Sequence, residues 1–169
     1  MVPRGLLVLY VAILLWLVLL KTAVSISALT RLRHQRSLNL TPFAAPKIVN
    51  GRINYGEMIV NCMLFIPFGL LLDVNFKKPG FLRKLLFILA FSVAVEVLQY
   101  LFAIGAADIT DVITNTAGGF IGLALYGFGN RYVNTEKLDR IITSAGIFLA
   151  ILFISIYASH FILRVPKGL

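Results

Sequence analysis

The sequence predicts an all-α fold, a polytopic membrane bundle of about five transmembrane helices. Only 14% of its residues are charged and 59% are hydrophobic, whereas soluble domains carry about a quarter charged residues. The mean hydropathy is +0.91. Apolar segments recur along the chain, and a helix needs about 20 residues to cross a bilayer core. Because lipid offers no partner for open backbone groups, each such segment is predicted to be helical.

The apolar segments form a single predicted transmembrane domain, residues 1–169, with one long basic connection, residues 30–56. Pro67 predicts a kink in the second segment. An alternative interpretation makes the first segment a cleaved signal peptide, but Lys21 interrupts the approach to any cleavage site. In chain order the predicted spans are Gly5–Leu20, Met58–Leu72, Leu85–Ala107, Ile109–Phe128 and Ile141–Leu163.

The positions of the cations predict the orientation of these spans. Short loops with many lysines and arginines stay in the cytoplasm. Lysines and arginines lie in the loop between the second and third segments and in the loop between the fourth and fifth. The connection between the third and fourth segments has none. This pattern predicts a cytoplasmic N-terminus and places residues 30–56 outside, although that long loop is itself basic. The cations of the two short loops are Lys77, Lys78, Arg83, Lys84, Arg131, Lys137 and Arg140.

Polar side chains are predicted to converge at the outer ends of three helices. Asp108, Asp111 and Asn115 are spaced three and four apart, so they share one helix face. An ionisable group inside a span costs at least about 2.5 kcal/mol and normally faces a partner or a water-filled cavity. Asp108 is also expected to cap its helix. The predicted ligand-binding residues of the helices are Asn61, Glu96, Gln99, Asp108, Asp111 and Asn115.

The loop segment "HQRSLNLTPF", residues 34–43, adds a seventh candidate. One interpretation is a surface helix lying on anionic headgroups. The other is a lid over the polar residues, with Asn39 reaching in. Gly118 and Gly122 have the spacing that lets another helix approach closely, which predicts tight packing.

No familiar catalytic motif occurs, so catalytic residues cannot be assigned. GxSxG, HExxH, P-loop and CxxC patterns are absent. We predict no cofactor. Because carboxylate and amide oxygens suit Mg²⁺ or Ca²⁺, a bound divalent cation is the alternative. The net charge of +9 predicts membrane lipids as partners rather than nucleic acid.

Four stretches in this order resemble the VanZ-like membrane protein family: "SLNLTPF", "NCMLFIPFGLLL", "EVLQY" and "DITDVITNTAGGFIG". The resemblance covers roughly residues 1–163. Where the family typically has Gly-Arg before the first aspartate, this chain has Gly105-Ala106 and so lacks an arginine there. The resemblance implies a multi-pass protein of the Gram-positive cell membrane that reduces susceptibility to teicoplanin and related lipoglycopeptides without cell-wall precursor remodelling.

Three hypotheses for the function follow. The first is a non-enzymatic resistance factor whose outer-leaflet polar cavity binds a lipid, a lipid-linked peptidoglycan precursor or the drug's lipid tail. The second is an intramembrane enzyme that modifies a lipid or a lipid-linked precursor, with Glu96 or Asp111 as general base. The third is a small transporter or flippase component, in which the acids carry protons.

Overall fold

Five helices, each long and apolar enough to cross a membrane, make up most of the part of the chain that the structure describes. The computed structural model describes residues 2–19, 37–43, 47–49, 52–102 and 106–164. The predicted membrane bundle with five spans is confirmed. The helices are α1 Val2–Leu19, α2 Gly56–Asn75, α3 Phe81–Phe102, α4 Ile109–Tyr132 and α5 Thr135–Arg164.

Among the described residues, four three-residue strands form two small sheets outside the helices. The strand β1 pairs in parallel with β4, and β2 pairs with β3 in an antiparallel hairpin. The β1–β4 pair brings the loop before α2 against the residue that begins α4, because β4 ends where α4 starts. The strands are β1 Ser37–Asn39, β2 Lys47–Val49, β3 Arg52–Asn54 and β4 Ala106–Asp108.

Helices α2 and α4 cross with their backbones in contact. A Cβ atom added to Gly118 would lie 2.0 Å from the carbonyl oxygen of Cys62, and one added to Gly122 would lie 2.1 Å from that of Ile66. The predicted close approach through small residues is therefore confirmed. Around this crossing, α1 and α3 complete an apolar core made by Leu14, Val18, Phe65, Phe68, Leu72, Ile88, Val95 and Leu123.

Most predicted span boundaries differ from the helix ends by one to six residues, and two of these differences have a clear physical reason. The third span was predicted to reach Ala107, but α3 ends at Phe102 and Ala106–Asp108 form β4. Hydropathy does not distinguish a short apolar strand from the end of a helix, and pairing with β1 selects the strand here. The fifth helix begins at Thr135 rather than Ile141, because its polar first turns continue the helix beyond the apolar run.

The first described residues of the long loop form the strand β1 and not a surface helix. Residues 37–39 form a strand, so the surface-helix interpretation is wrong for them, while residues 34–36 lie outside the described residues. The alternation of apolar Leu38, polar Asn39 and apolar Leu40 is the two-residue period of a strand. We call residues 37–43 the clasp, since they hold β1 and its turn against β4 and the start of α4.

At the end of the bundle opposite to the clasp, lysines tie neighbouring helices together. Lys84 of α3 forms an ion pair with Asp73 of α2. Lys77, in the loop between these helices, lies 2.7 Å from the carboxylate of Asp139 on α5 and stacks over the ring of Tyr126 on α4. These contacts fix the α2–α3 loop against α4 and α5. We call this end the basic end and the other the clasp end.

Candidate functional site

The structure brings six of the seven predicted site residues into one region at the clasp end, and the seventh faces another helix. Three hydrogen-bonded groups lie there in successive layers along α4. Each layer links two or more elements that are distant in the sequence. We call this set the polar cluster; it comprises Asn39, Asn61, Ser92, Glu96, Asp108, Thr110, Asp111 and Asn115.

The first layer joins the clasp to α3 and α4 around Asp108. Its carboxylate Oδ1 accepts from the backbone N–H of Thr110 at 2.8 Å, so the predicted helix cap is confirmed. Its Oδ2 accepts from Asn39 Nδ2 at 3.1 Å. The backbone N–H of Asp108 donates in turn to Glu96 Oε2 at 2.9 Å. Asp108 therefore has a structural role, and Asn39 reaches in as the lid interpretation predicted.

The second layer is a buried pair between α2 and α4. Asn61 Nδ2 donates to Asp111 Oδ1 at 2.7 Å, and both residues are buried. A hydrogen bond to an ionised group is roughly twice as strong as a neutral one, and a buried carboxylate needs such donors. The chain thus places a carboxylate in the first turn of α4, against an amide from the facing helix.

The third layer lies deeper and carries no formal charge. Asn115 Nδ2 donates to Ser92 Oγ at 2.9 Å, and both residues are fully buried. Among the described residues, Asn115 Oδ1 has no hydrogen-bond partner. An amide oxygen is an acceptor only, so this atom can be satisfied only by a donor that reaches the buried position, such as water or a polar group of a ligand.

Gln99 departs from the predicted convergence. Its Nε2 donates to the backbone carbonyl of Val18 on α1 at 2.9 Å, so its amide group joins α1 to α3. Its Oε1 is buried and lacks a partner among the residues described. Gln99 lies one turn after Glu96 on α3, so helical periodicity predicts that both side chains face the same neighbours. The structure instead directs Gln99 to α1.

Ser92 and Thr110 belong to the cluster but were missed in the sequence. Ser92 precedes Glu96 by four residues, so it shares that face of α3, and this spacing was the signal that could have identified it. Thr110 follows the capping aspartate by two residues, and its Oγ1 accepts from the backbone N–H of Phe43 at 3.1 Å. Hydroxyl groups are ordinary in membrane helices, so neither residue stands out by composition.

No group of three His, Cys, Asp or Glu side chains is arranged to hold a metal ion within the described ranges. The cluster presents carboxylate and amide oxygens, and the side-chain amides of Asn39, Asn61 and Asn115 each donate one hydrogen bond inside the protein. The arrangement can therefore accept hydrogen bonds from an ammonium, hydroxyl or water that enters it.

Replacing Asp108 tests the first layer. We expect Asp108→Ala to lower the free energy of unfolding by about 1–2 kcal/mol, because α4 loses its cap and Asn39 loses its acceptor. Asp108→Asn should cost less, since its Oδ1 can still accept from Thr110. Thermal unfolding of the purified proteins in detergent measures the order. Equal stability of Asp108→Ala and wild type would contradict the capping role.

Comparison with known proteins assigns the family. Residues 7–130 match the family model described as VanZ/LLP1. Protein VanZ of Enterococcus faecium is 54% identical to this chain over 157 residues, which cover 93% of this chain and 92% of the relative. The chain belongs to the VanZ/LLP1 family. No solved structure matches it significantly.

The family match places the polar cluster in the shared part of the VanZ/LLP1 fold. Every cluster residue lies between Asn39 and Asn115, within the matched residues 7–130. Helix α5, Thr135–Arg164, begins after that range and supplies no described member of the cluster. The candidate site is thus built entirely from the part of this chain that the family model covers.

Proposed function

We propose that this VanZ/LLP1 family member lowers the susceptibility of a Gram-positive bacterium to teicoplanin and related lipoglycopeptides, acting from the cell membrane. The observation that carries the proposal is the 54% identity to Protein VanZ across nearly the whole of both chains. Five helices long enough to span a membrane support the location.

The polar cluster is the proposed binding site for an amphiphile of the outer leaflet. Three features support this: carboxylates of α3 and of the start of α4 lie at the same end of the bundle, the buried Asn115 Oδ1 has no donor among the described residues, and the cation pattern predicts that the clasp end faces outward. The ligand is a lipid, a lipid-linked peptidoglycan precursor or the lipid-bearing part of the drug. A glycopeptide without a lipid tail does not partition into this leaflet, which accounts for selectivity towards teicoplanin over vancomycin.

Drug susceptibility of a Gram-positive host that expresses the chain tests the proposal. Glu96→Gln and Asp111→Asn remove charge but keep an oxygen for the N–H groups of Asp108 and Asn61, so the fold should be retained. We expect wild type to raise the inhibitory concentration of teicoplanin but not of vancomycin, and each acid variant to lose most of that protection. Immunoblots of the membrane fraction check that protein levels are equal.

Two control variants lie at the exposed basic end of the bundle. Glu136→Gln makes the same chemical change as Glu96→Gln on an exposed residue, and Arg83→Gln removes an exposed cation; both should protect like wild type. If both acid variants still protect, the cluster only supports the fold and is not the binding site. Expression of the protein should leave the masses of the host's lipids unchanged. A new lipid mass that appears with wild type and is lost in Glu96→Gln would favour the enzyme hypothesis over binding.

A further inference from the structure

The clasp lies level with the interior of α3 rather than above its end. β1 pairs with β4 so that Asn39 is opposite Asp108, and the Asp108 N–H contacts the Glu96 carboxylate. Glu96 precedes the last residue of α3, Phe102, by six residues, which is about 9 Å along a helix. Side chains in helices tilt towards the N-terminus, so the Glu96 carboxylate does not close this gap. After α3 the chain therefore turns back, so that β4 and the clasp lie closer to the bilayer centre than the end of α3.

Four backbone N–H groups in this region donate to side chains of the protein. The N–H groups of Thr41, Phe43, Asp108 and Thr110 donate to Asn39 Oδ1, Thr110 Oγ1, Glu96 Oε2 and Asp108 Oδ1 respectively. Loops in water do not need such partners, since water supplies them. Non-helical backbone at membrane depth does need them, because an unsatisfied group there costs several kcal/mol.

The outer side of the clasp is apolar. Leu38, Leu40 and Phe43 are 57%, 68% and 54% exposed. Neighbouring side chains of an extended segment point to opposite faces, and Asn39 is directed to Asp108, so Leu38 faces away from the protein. Phe43 holds its ring exposed with a φ of 58°, a conformation that is uncommon for a bulky residue.

This apolar surface continues that of the helices. Leu101 and Phe102, the last two residues of α3, are also exposed, and they lie beyond the level of Glu96, further towards the clasp end. Since α3 has 22 residues and spans about 33 Å, its final turns reach the edge of the hydrocarbon layer. Exposed apolar residues below that edge contact acyl chains.

We propose that the clasp is a re-entrant element inserted among the acyl chains of the leaflet at the clasp end, with Leu38, Leu40 and Phe43 as its lipid contacts. One short segment then connects the bilayer with the polar cluster through Asn39 and Asp108. An amphiphile that diffuses in this leaflet meets the clasp before the cluster, so the cluster is reached from the lipid rather than from water. Insertion of the clasp requires no drug and is independent of the function proposed above; the route of the amphiphile alone rests on that function.

Fluorescence quenching by lipids measures the depth of the clasp in the full chain. Trp16 is the single tryptophan of the sequence, and Trp16→Phe removes its signal while keeping an aromatic ring beside Phe153. In that background, Leu40→Trp and Phe43→Trp are two independent reporters at exposed positions. The proteins are reconstituted in phosphatidylcholine–phosphatidylglycerol vesicles with and without brominated acyl chains, and aqueous iodide provides the opposite readout.

Two further variants calibrate the measurement. Phe102→Trp reports the exposed end of α3, and Lys78→Trp reports an exposed loop at the basic end. We expect brominated lipid to quench both clasp reporters at least as strongly as Phe102→Trp, and roughly twofold or more above Lys78→Trp. Aqueous iodide should quench the reporters in the reverse order, with Lys78→Trp quenched most strongly. If both clasp reporters are quenched by iodide like Lys78→Trp and are insensitive to brominated lipid, the clasp lies in water and the proposal is wrong.

Discussion

Gly118→Ala is expected to prevent the protein from accumulating in a stably folded form. Its new Cβ would meet the carbonyl oxygen of Cys62 at 2.0 Å, and both groups belong to helix backbones that cannot rotate out of the way. Helices α2 and α4 would have to separate, and contacts between membrane helices depend on such close packing. Because overpacking typically costs about 1–3 kcal/mol and occasionally more, we expect a loss of at least about 3 kcal/mol.

Size-exclusion profiles and thermal unfolding in detergent measure this effect. Gly127→Ala is the matched control, since it makes the same change on the same helix where a Cβ would meet nothing within 4 Å. It should be neutral or stabilise by up to about 1 kcal/mol through helix propensity. Gly122→Ala, whose Cβ would lie 2.1 Å from the Ile66 carbonyl oxygen, should behave like Gly118→Ala. Normal melting of both variants would exclude the close crossing of α2 and α4.

Lys84→Met is expected to cost about 3–5 kcal/mol, the range for removing one partner of a buried ion pair. The side chains of Lys84 and Asp73 are 8% and 15% exposed. Methionine fills a similar volume but leaves the largely buried Asp73 carboxylate without its ammonium. The double variant Asp73→Asn/Lys84→Met removes that charge as well, so it should recover a large part of the loss. Chemical or thermal unfolding of wild type, Lys84→Met, Asp73→Asn and the double variant completes the double-mutant cycle.

Lys77→Met is the control for this second prediction. Lys77 also pairs with an aspartate, Asp139, but its side chain is 43% exposed. Exposed pairs contribute about 0–1 kcal/mol because water screens them, so this variant should lose much less stability than Lys84→Met. Equal losses would show that burial of the Lys84–Asp73 pair is not what makes it important.

The sequence by itself determined the features that depend on local spacing. Bilayer thickness sets the length of an apolar helix, so five spans could be counted from hydropathy alone. Helical periodicity put Asp108, Asp111 and Asn115 on one face of α4, and the spacing of Gly118 and Gly122 predicted a close helix contact. Each of these properties is decided by residues within a few turns of one another.

Only the tertiary structure decided which partner each polar side chain meets. Asn39 and Asp108 are 69 residues apart, and their contact requires the β1–β4 pairing, which interrupts what hydropathy predicts as a continuous third span. Ser92 becomes the partner of Asn115, and Gln99 turns to α1, because the positions of the neighbouring helices select among the acceptors in reach. Hydrogen bonds and strand pairing between distant segments depend on how the whole bundle packs, and periodicity carries no information about that.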